Sequence, residues 1–242
     1  MKGEKKFGFL SKLIFLQDVV SLLIAKLNPA VIHNLAKYMA LKKVHYLSAI
    51  EEIEGDYLEF GVYNGSSFSH SLRCLRHLVR LNNHVENTIS YGFDSFEGFG
   101  EFLPDDKHPF YEQINFEASF KKVDLRAKRA AKQLKYKLVK GFFNKTLSVK
   151  PDSYGIKKAR IIFIDSDTYS SSIQALRFVI PTIQKGSYII LDDYFSYKGD
   201  ESKGVAKAFK EFQEEAQLSV RHVFNYGMSG VVYIISGRNK ND

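Results

Sequence analysis

The sequence predicts an α/β fold: a seven-stranded, mostly parallel sheet whose last strand is antiparallel, preceded by helices. Three observations carry that expectation. From Asp56 onward, apolar runs of strand length alternate with longer helical stretches, the pattern of βα units around a parallel sheet. Two of those runs end in acid: Asp165 follows the apolar run 161–164, and Asp192 with Asp193 follows 189–191. Only residues 225–230 separate the last two runs, too few for a helical crossover, so the final strand should turn back on its neighbour.

Taken in order, residues 1–54 read as a helical extension with no strand signal. Its first segment, 7–27, is apolar but interrupted by Lys12, Gln17, Asp18 and Lys26, and such interruptions are costly at the centre of a bilayer. No small-residue cleavage site follows the apolar stretch, so a signal peptide is not expected. Read as a helix, the segment has a narrow polar strip (Ser11, Lys12, Asp18, Ala25, Lys26) and a wide apolar face carrying Leu10, Leu13, Ile14, Val20, Ile24 and Leu27. That face packs on the domain or a second subunit, or lies on a membrane with Lys2, Lys5 and Lys6 near anionic lipid. A second helix opens at Asn28-Pro29, where proline suits a first turn, and a third runs from Tyr46 to Glu52. Strands are expected at 57–61, 89–93, 136–139, 160–164, 187–191, 220–224 and 231–235, with helices at 67–81, 125–133, 171–183 and 203–216. Residues 55–238 thus form the main domain.

The composition fits this reading. A chain of 242 residues, 45% of them hydrophobic, can bury one large core. The single cysteine, Cys74, permits no internal disulfide and supports no zinc module with the seven histidines, so a reducing cytoplasm is the expected location, with membrane association at its inner face as the extension's alternative. The net charge is +8, densest between Lys121 and Lys140, where Asp124 is the one acid. A solvated helix face explains the cluster. No nucleic-acid motif and no interleaved aromatics accompany it, so nucleic acid is not an expected partner, whereas a phosphorylated acceptor suits a basic chain.

The chemistry gathers at strand ends. The first strand runs into Glu59-Phe60-Gly61-Val62-Tyr63-Asn64-Gly65-Ser66-Ser67, a turn whose glycines admit a ligand close to the backbone and whose following helix amides can meet an anion. A purely structural turn would use the same glycines. The P-loop lysine and the full dinucleotide fingerprint are missing, which argues against ATP or NAD. Asp94, at the end of the second strand and followed by Ser95, stands where an acid accepts hydrogen bonds from ribose hydroxyls, or where it caps a turn. Asp165 and Asp192 close neighbouring strands about 5 Å apart, so with Asp193 they can grip a hard cation such as Mg²⁺. Asp167 reads as the cap of the next helix. His108, in the loop after Pro104, reads as a surface residue or a base, while Tyr63 and Tyr194 either flank a ligand or pack.

The strings GVYNGSS, FDSFEGF, IDSDTYSSS and ILDDYF, in this order and spacing, resemble the macrocin O-methyltransferase family over about residues 57–212. The resemblance implies a class I methyltransferase Rossmann-like fold and methyl transfer from S-adenosylmethionine to a sugar hydroxyl with magnesium. It implies metal ligation by Asp165, Asp192 and Asp193, with Asp165 as the catalytic base. Cofactor contacts are expected from Glu59, Gly61, Tyr63, Gly65, Ser66, Asp94 and Ser95. Ser166 stands where the family usually has glycine, and Phe142 where it usually has tryptophan. The extension and the loop 99–124 match less well and cover the acceptor side, so the macrolide is not carried over; the resemblance implies a sugar acceptor, or one linked to a glycan or nucleotide. Catechol-like acceptors and a non-catalytic docking module are the competing readings, and a homo-oligomer is the expected assembly.

Overall fold

The structure, a computed structural model, describes residues 13–81, 83–100, 102–111 and 116–238. Helix α1 spans Ile14–Lys26; the expected start at residue 7, and Lys2, Lys5 and Lys6, lie outside the described residues. Helix α2 spans Pro29–Ile50, opened by Asn28, whose side chain accepts from the Ala30 amide at 2.9 Å. The separate helix expected from Tyr46 is the end of α2, because its Ala40, Leu41, Val44 and Ala49 are all buried and keep one face on the core.

The remaining elements are β1 (Asp56–Phe60), α3 (Ser66–Val79), β2 (Ser90–Asp94), α4 (Phe120–Ala131), β3 (Tyr136–Lys140) and α5 (Phe143–Thr146). They continue as β4 (Ala159–Ile164), α6 (Tyr169–Val179), β5 (Ile183–Leu191), α7 (Gly204–Glu215), β6 (Leu218–Tyr226) and β7 (Gly230–Arg238). The seven strands lie in the order β3-β2-β1-β4-β5-β7-β6, with β7 antiparallel to β5 and β6 and the pairs among β1 to β5 parallel. This is the class I methyltransferase arrangement.

Side chains alternate across the strands, so the sheet buries two faces. Leu58, Phe60, Phe93, Ile162 and Ile189 pack under α6 and α7, while Tyr57, Ile161, Phe163 and Ile190 pack under α2, α3 and α4. Most boundaries shift by a few residues, and the starts of α4 and β5 shift by four or five. Helix α4 begins five residues early because Val123, Ala127 and Ala130 form its buried stripe while Lys121 and Lys122 point to solvent. Strand β5 begins at Ile183, directly after the single 3-10 turn Ile180–Thr182, in which Pro181 has no amide to continue α6.

Parallel strands bring their carboxyl ends to one edge, and the chain changes direction there between β1 and β4. Gly61 sits at that switch point with φ +93, and a Cβ on it would come within 1.8 Å of the Asp165 carbonyl oxygen. A side chain at Gly61 would therefore push β1 and β4 apart. Gly61→Ala is expected to destabilise the fold by about 3 kcal/mol or more, whereas Gly237→Ala, with nothing within 4 Å of its added carbon, should change stability by less than about 0.5 kcal/mol. Urea unfolding of the two variants checks this contrast.

Candidate active site

The ends of β1, β2, β4 and β5 open into a cavity of about 450 Å³. The turn after β1 is built by its own residues. Gly61 and Gly65 take left-handed conformations, and a Cβ on Gly65 would strike Val123 Cγ1 at 2.8 Å. Asn64 Oδ1 accepts from the Ser66 amide, and Arg126 donates to the Asn64 carbonyl at 3.0 Å, tying α4 to the turn. Both glycines are thus required by packing of the protein on itself, the structural alternative in the sequence reading. Gly61, Tyr63 and Ser66 line the cavity; Gly65 is not among the lining residues.

Asp94 organises the same corner. Its Oδ2 accepts from the Val62 and Tyr63 amides, each at 2.7 Å, and its Oδ1 from the Phe96 amide at 2.6 Å. Burial pushes its carboxyl above the usual range, against the pull of these three amides. A carboxylate offers about four acceptor positions, so Asp94 keeps one for a ligand. Ser95 also lines the cavity, with its hydroxyl donating to the Gly98 carbonyl.

Glu59 lies outside the lining. It is fully buried behind the turn, where Tyr57 and Ser67 donate to its carboxylate. Glu59 meets the cavity only through Ser67, which lines it while donating its hydroxyl to the Glu59 carboxylate.

The acid cluster is denser than the sequence implied. Asp165, Asp192 and Asp193 each present an oxygen within 4.8 Å of the others. Asp167 joins them: Thr168, not Asp167, caps α6 by accepting from the Ser171 amide, while Asp167 takes φ +61 and lines the cavity. Burial, then the neighbouring carboxylates, push Asp165 and Asp167 well above the usual range, and Asp193 up as well. Asp192 goes the other way. Burial would raise it, yet Lys37 and His33 hold it below the usual range.

Lys37 and His33 come from α2, where a four-residue spacing puts them on one face. Lys37 Nζ lies 2.8 Å from Asp165 Oδ2 and 2.7 Å from Asp192 Oδ2. Burial would lower its pKa, but the two carboxylates keep the ammonium charged. His33 Nδ1 accepts from the Met228 amide at 3.2 Å, so its proton is on Nε2 and is donated to Asp192 Oδ2 at 3.0 Å. Tyr226 donates to Asp192 Oδ1 at 2.7 Å. These three partners are not marked by the sequence; the available signal is the four-residue spacing of His33 and Lys37 on one face of the helix. His108 is absent from the lining and packs on Tyr111 and Tyr197, and Tyr194 packs on Phe209 and Tyr233. Tyr63 meets Phe116 edge-on at the cavity wall, where Phe99, Phe110, Phe142 and Phe143 add apolar surface. The lysines of 121–140 that the sequence marked out are exposed.

The chain matches the family model described as macrocin-O-methyltransferase (TylF) over residues 33–233. It is 25% identical over 181 residues to mycinamicin III 3''-O-methyltransferase of Micromonospora griseorubida, covering 69% of this chain and 66% of that protein. A second relative, 8-demethyl-8-(2,3-dimethoxy-alpha-L-rhamnosyl)-tetracenomycin-C 4'-O-methyltransferase of Streptomyces olivaceus, is 25% identical over 176 residues, covering 69% and 64%. The chain thus spans just under two thirds of the length of these curated relatives. Its fold is similar to that of the O-methyltransferase NovP (TM-score 0.67, 18% identity, 84% of this chain and 80% of that one) and of the calicheamicin methyltransferase CalS11 (0.64, 17%, 84% and 79%).

Glu59 yields a test of the buried layer. Burial pushes its carboxyl from 4.5 to about 7 despite its two donors. The folded state then holds a proton that the unfolded state has released between those pH values, so stability falls as pH rises through the window, by up to about 3 kcal/mol. Urea unfolding at pH 5 and pH 8 should show that fall, and Glu59→Gln should reduce it, the remainder coming from the other raised carboxyls.

Proposed function

Since the chain belongs to the macrocin O-methyltransferase family, we propose that it transfers a methyl group from S-adenosylmethionine to a sugar hydroxyl, with a divalent cation at the acid cluster. The observation that carries this reading is the shared cavity: the glycine turn and Asp94 line one part of it, and Asp165, Asp192 and Asp193 another. A cofactor and an acceptor can therefore meet there.

The residues fit a hard cation. Three carboxylates offer converging oxygens, Asp167 adds a fourth acid, and Lys37 is the one lysine that bridges them. Such an excess of negative charge favours Mg²⁺ or Ca²⁺ over softer metals. When bound, the cation would polarise acceptor hydroxyls and ease loss of a proton. S-adenosylmethionine would supply a methyl already activated by its sulfonium.

The chain's own groups then divide the work. Ser66 and the first turn of α3 would hold the cofactor's anionic end, and Asp94 would offer its remaining acceptor position to a ribose hydroxyl. Asp192, held ionised by three donors, serves as a fixed ligand. Asp165, which lacks the His33 and Tyr226 donors that pin Asp192, is the carboxylate assigned to take the acceptor's proton. His33 is committed at both nitrogens. Orientation of the hydroxyl behind the methyl supplies the remaining acceleration.

Methyl transfer from labelled cofactor should appear with nucleotide sugars or glycan fragments and disappear with chelator. The phenylalanine-rich wall favours a second reading, a catechol-like acceptor, and label in phenols alone would support it. Calorimetry in which S-adenosylmethionine gives no heat would point instead to a non-catalytic module. Asp192→Ala is expected to lower cation-dependent turnover by about a hundredfold or more with the circular dichroism spectrum unchanged; full activity would remove the cation from the mechanism.

A further inference from the structure

Helix α1 has no buried residue, and its apolar side chains stand in the open, with Phe15 82% exposed and Ile14, Leu22 and Leu23 at least 60%. At 100° per residue, Gln17, Asp18 and Ser21 share less than a third of its circumference, and Lys26 closes its last turn. A helix that packs on a soluble body shows the reverse, an apolar stripe on a polar cylinder. The apolar surface continues around the elbow. Val31, Leu35 and Met39 of α2 are exposed as well.

Three features favour lipid as the occupant. First, the wide apolar arc leaves little polar surface for a protein partner to hydrogen-bond, whereas hydrocarbon needs none. Second, α1 is about 20 Å long against a hydrocarbon core of about 30 Å, and it meets α2 at 95°. No single helix among the described residues is long and apolar enough to cross a membrane, so this elbow suits lying within one leaflet. Third, the sequence ahead of α1 carries Lys2, Lys5, Lys6 and Lys12 against one acid, Glu4, and the net charge is +8. Such a segment is drawn to anionic headgroups.

The elbow is also a wall of the site. Ala30, His33, Asn34 and Lys37 line the cavity, and Val31, Leu35 and Met39 lie on the opposite side of the same helical turns. The bilayer surface would thus sit about one helix diameter, roughly 10 Å, from the acid cluster. We propose that the α1–α2 elbow seats the protein on an anionic membrane and that its acceptor is a sugar carried on a lipid, presented at that surface. The acceptor half rests on the methyltransferase reading above; the docking half does not.

Co-flotation of the full chain with vesicles of phosphatidylethanolamine and phosphatidylglycerol tests the docking half. The protein should float with these vesicles, and Phe15→Glu combined with Leu23→Glu should reduce the bound fraction by about ten-fold or more, with the circular dichroism spectrum and urea midpoint unchanged as the check on folding. Absence of flotation would overturn the proposal. So would a lipid-free dimer, seen by sedimentation, that the double variant splits into monomers, since a second copy would then cover the surface. For the acceptor half, labelled cofactor is incubated with a membrane lipid extract and, separately, with water-soluble nucleotide sugars. Label recovered with the solvent-extracted lipid supports it, and label confined to soluble sugars overturns it. Label in neither fraction sinks the methyltransferase reading with it, a failure that flotation distinguishes because it needs no turnover.

Discussion

Like charges crowded at the ends of two neighbouring strands are the constraint around which the site is arranged. The β4 and β5 ends put Asp165, Asp167, Asp192 and Asp193 together in a largely buried corner, where burial and mutual repulsion push three of the four carboxyls upward. Left alone, the corner would protonate. It is held partly charged by groups from outside that strand-helix-strand unit: Lys37 and His33 from α2 and Tyr226 from the end of β6. The ammonium is shared between Asp165 and Asp192, but only Asp192 gains two further donors. That asymmetry holds Asp192 as a fixed anion and is what suits Asp165 to the proton-acceptor role proposed for it.

The same constraint explains why α2 belongs to the body of the protein. One face of the helix inserts Ala40, Leu41 and Val44 into the core beside Tyr57 and Phe163, and its first turns carry the neutralising groups to the strand ends. The outer face of those turns joins the exposed surface of α1. Core packing, charge compensation and an exposed apolar surface thus meet in one helix, so whatever covers the elbow also bears on the wall of the cavity.

Local patterns in the sequence exposed most of the sheet. Apolar runs ending in glycine or acid marked β1, β2, β4 and β5, and the short 225–230 connection marked the antiparallel return, because strand periodicity and turn length are local properties. The start of α4 was less visible, since Lys121 and Lys122 broke the apparent pattern before the stripe Val123, Ala127 and Ala130 was counted. The acids of the site were legible as strand ends, whereas their partners were not. Lys37 lies 128 residues from Asp165 and His33 lies 159 from Asp192, so only the folded topology brings them together. Glycine chemistry is ambiguous in a different way. Gly61 and Gly65 suit close approach of a ligand, and Asp165 and Val123 demand the same room for the protein's own packing.

The central claim is that these carboxylates, with their three protein donors, form a cation and acceptor site. Manganese titration followed by electron paramagnetic resonance reads that directly, because bound Mn²⁺ loses the sharp spectrum of the free ion. One ion per chain should bind, and Asp165→Asn combined with Asp193→Asn should abolish the binding while the protein stays folded. Undiminished binding by that double variant, or no binding by the unaltered chain, would contradict the account.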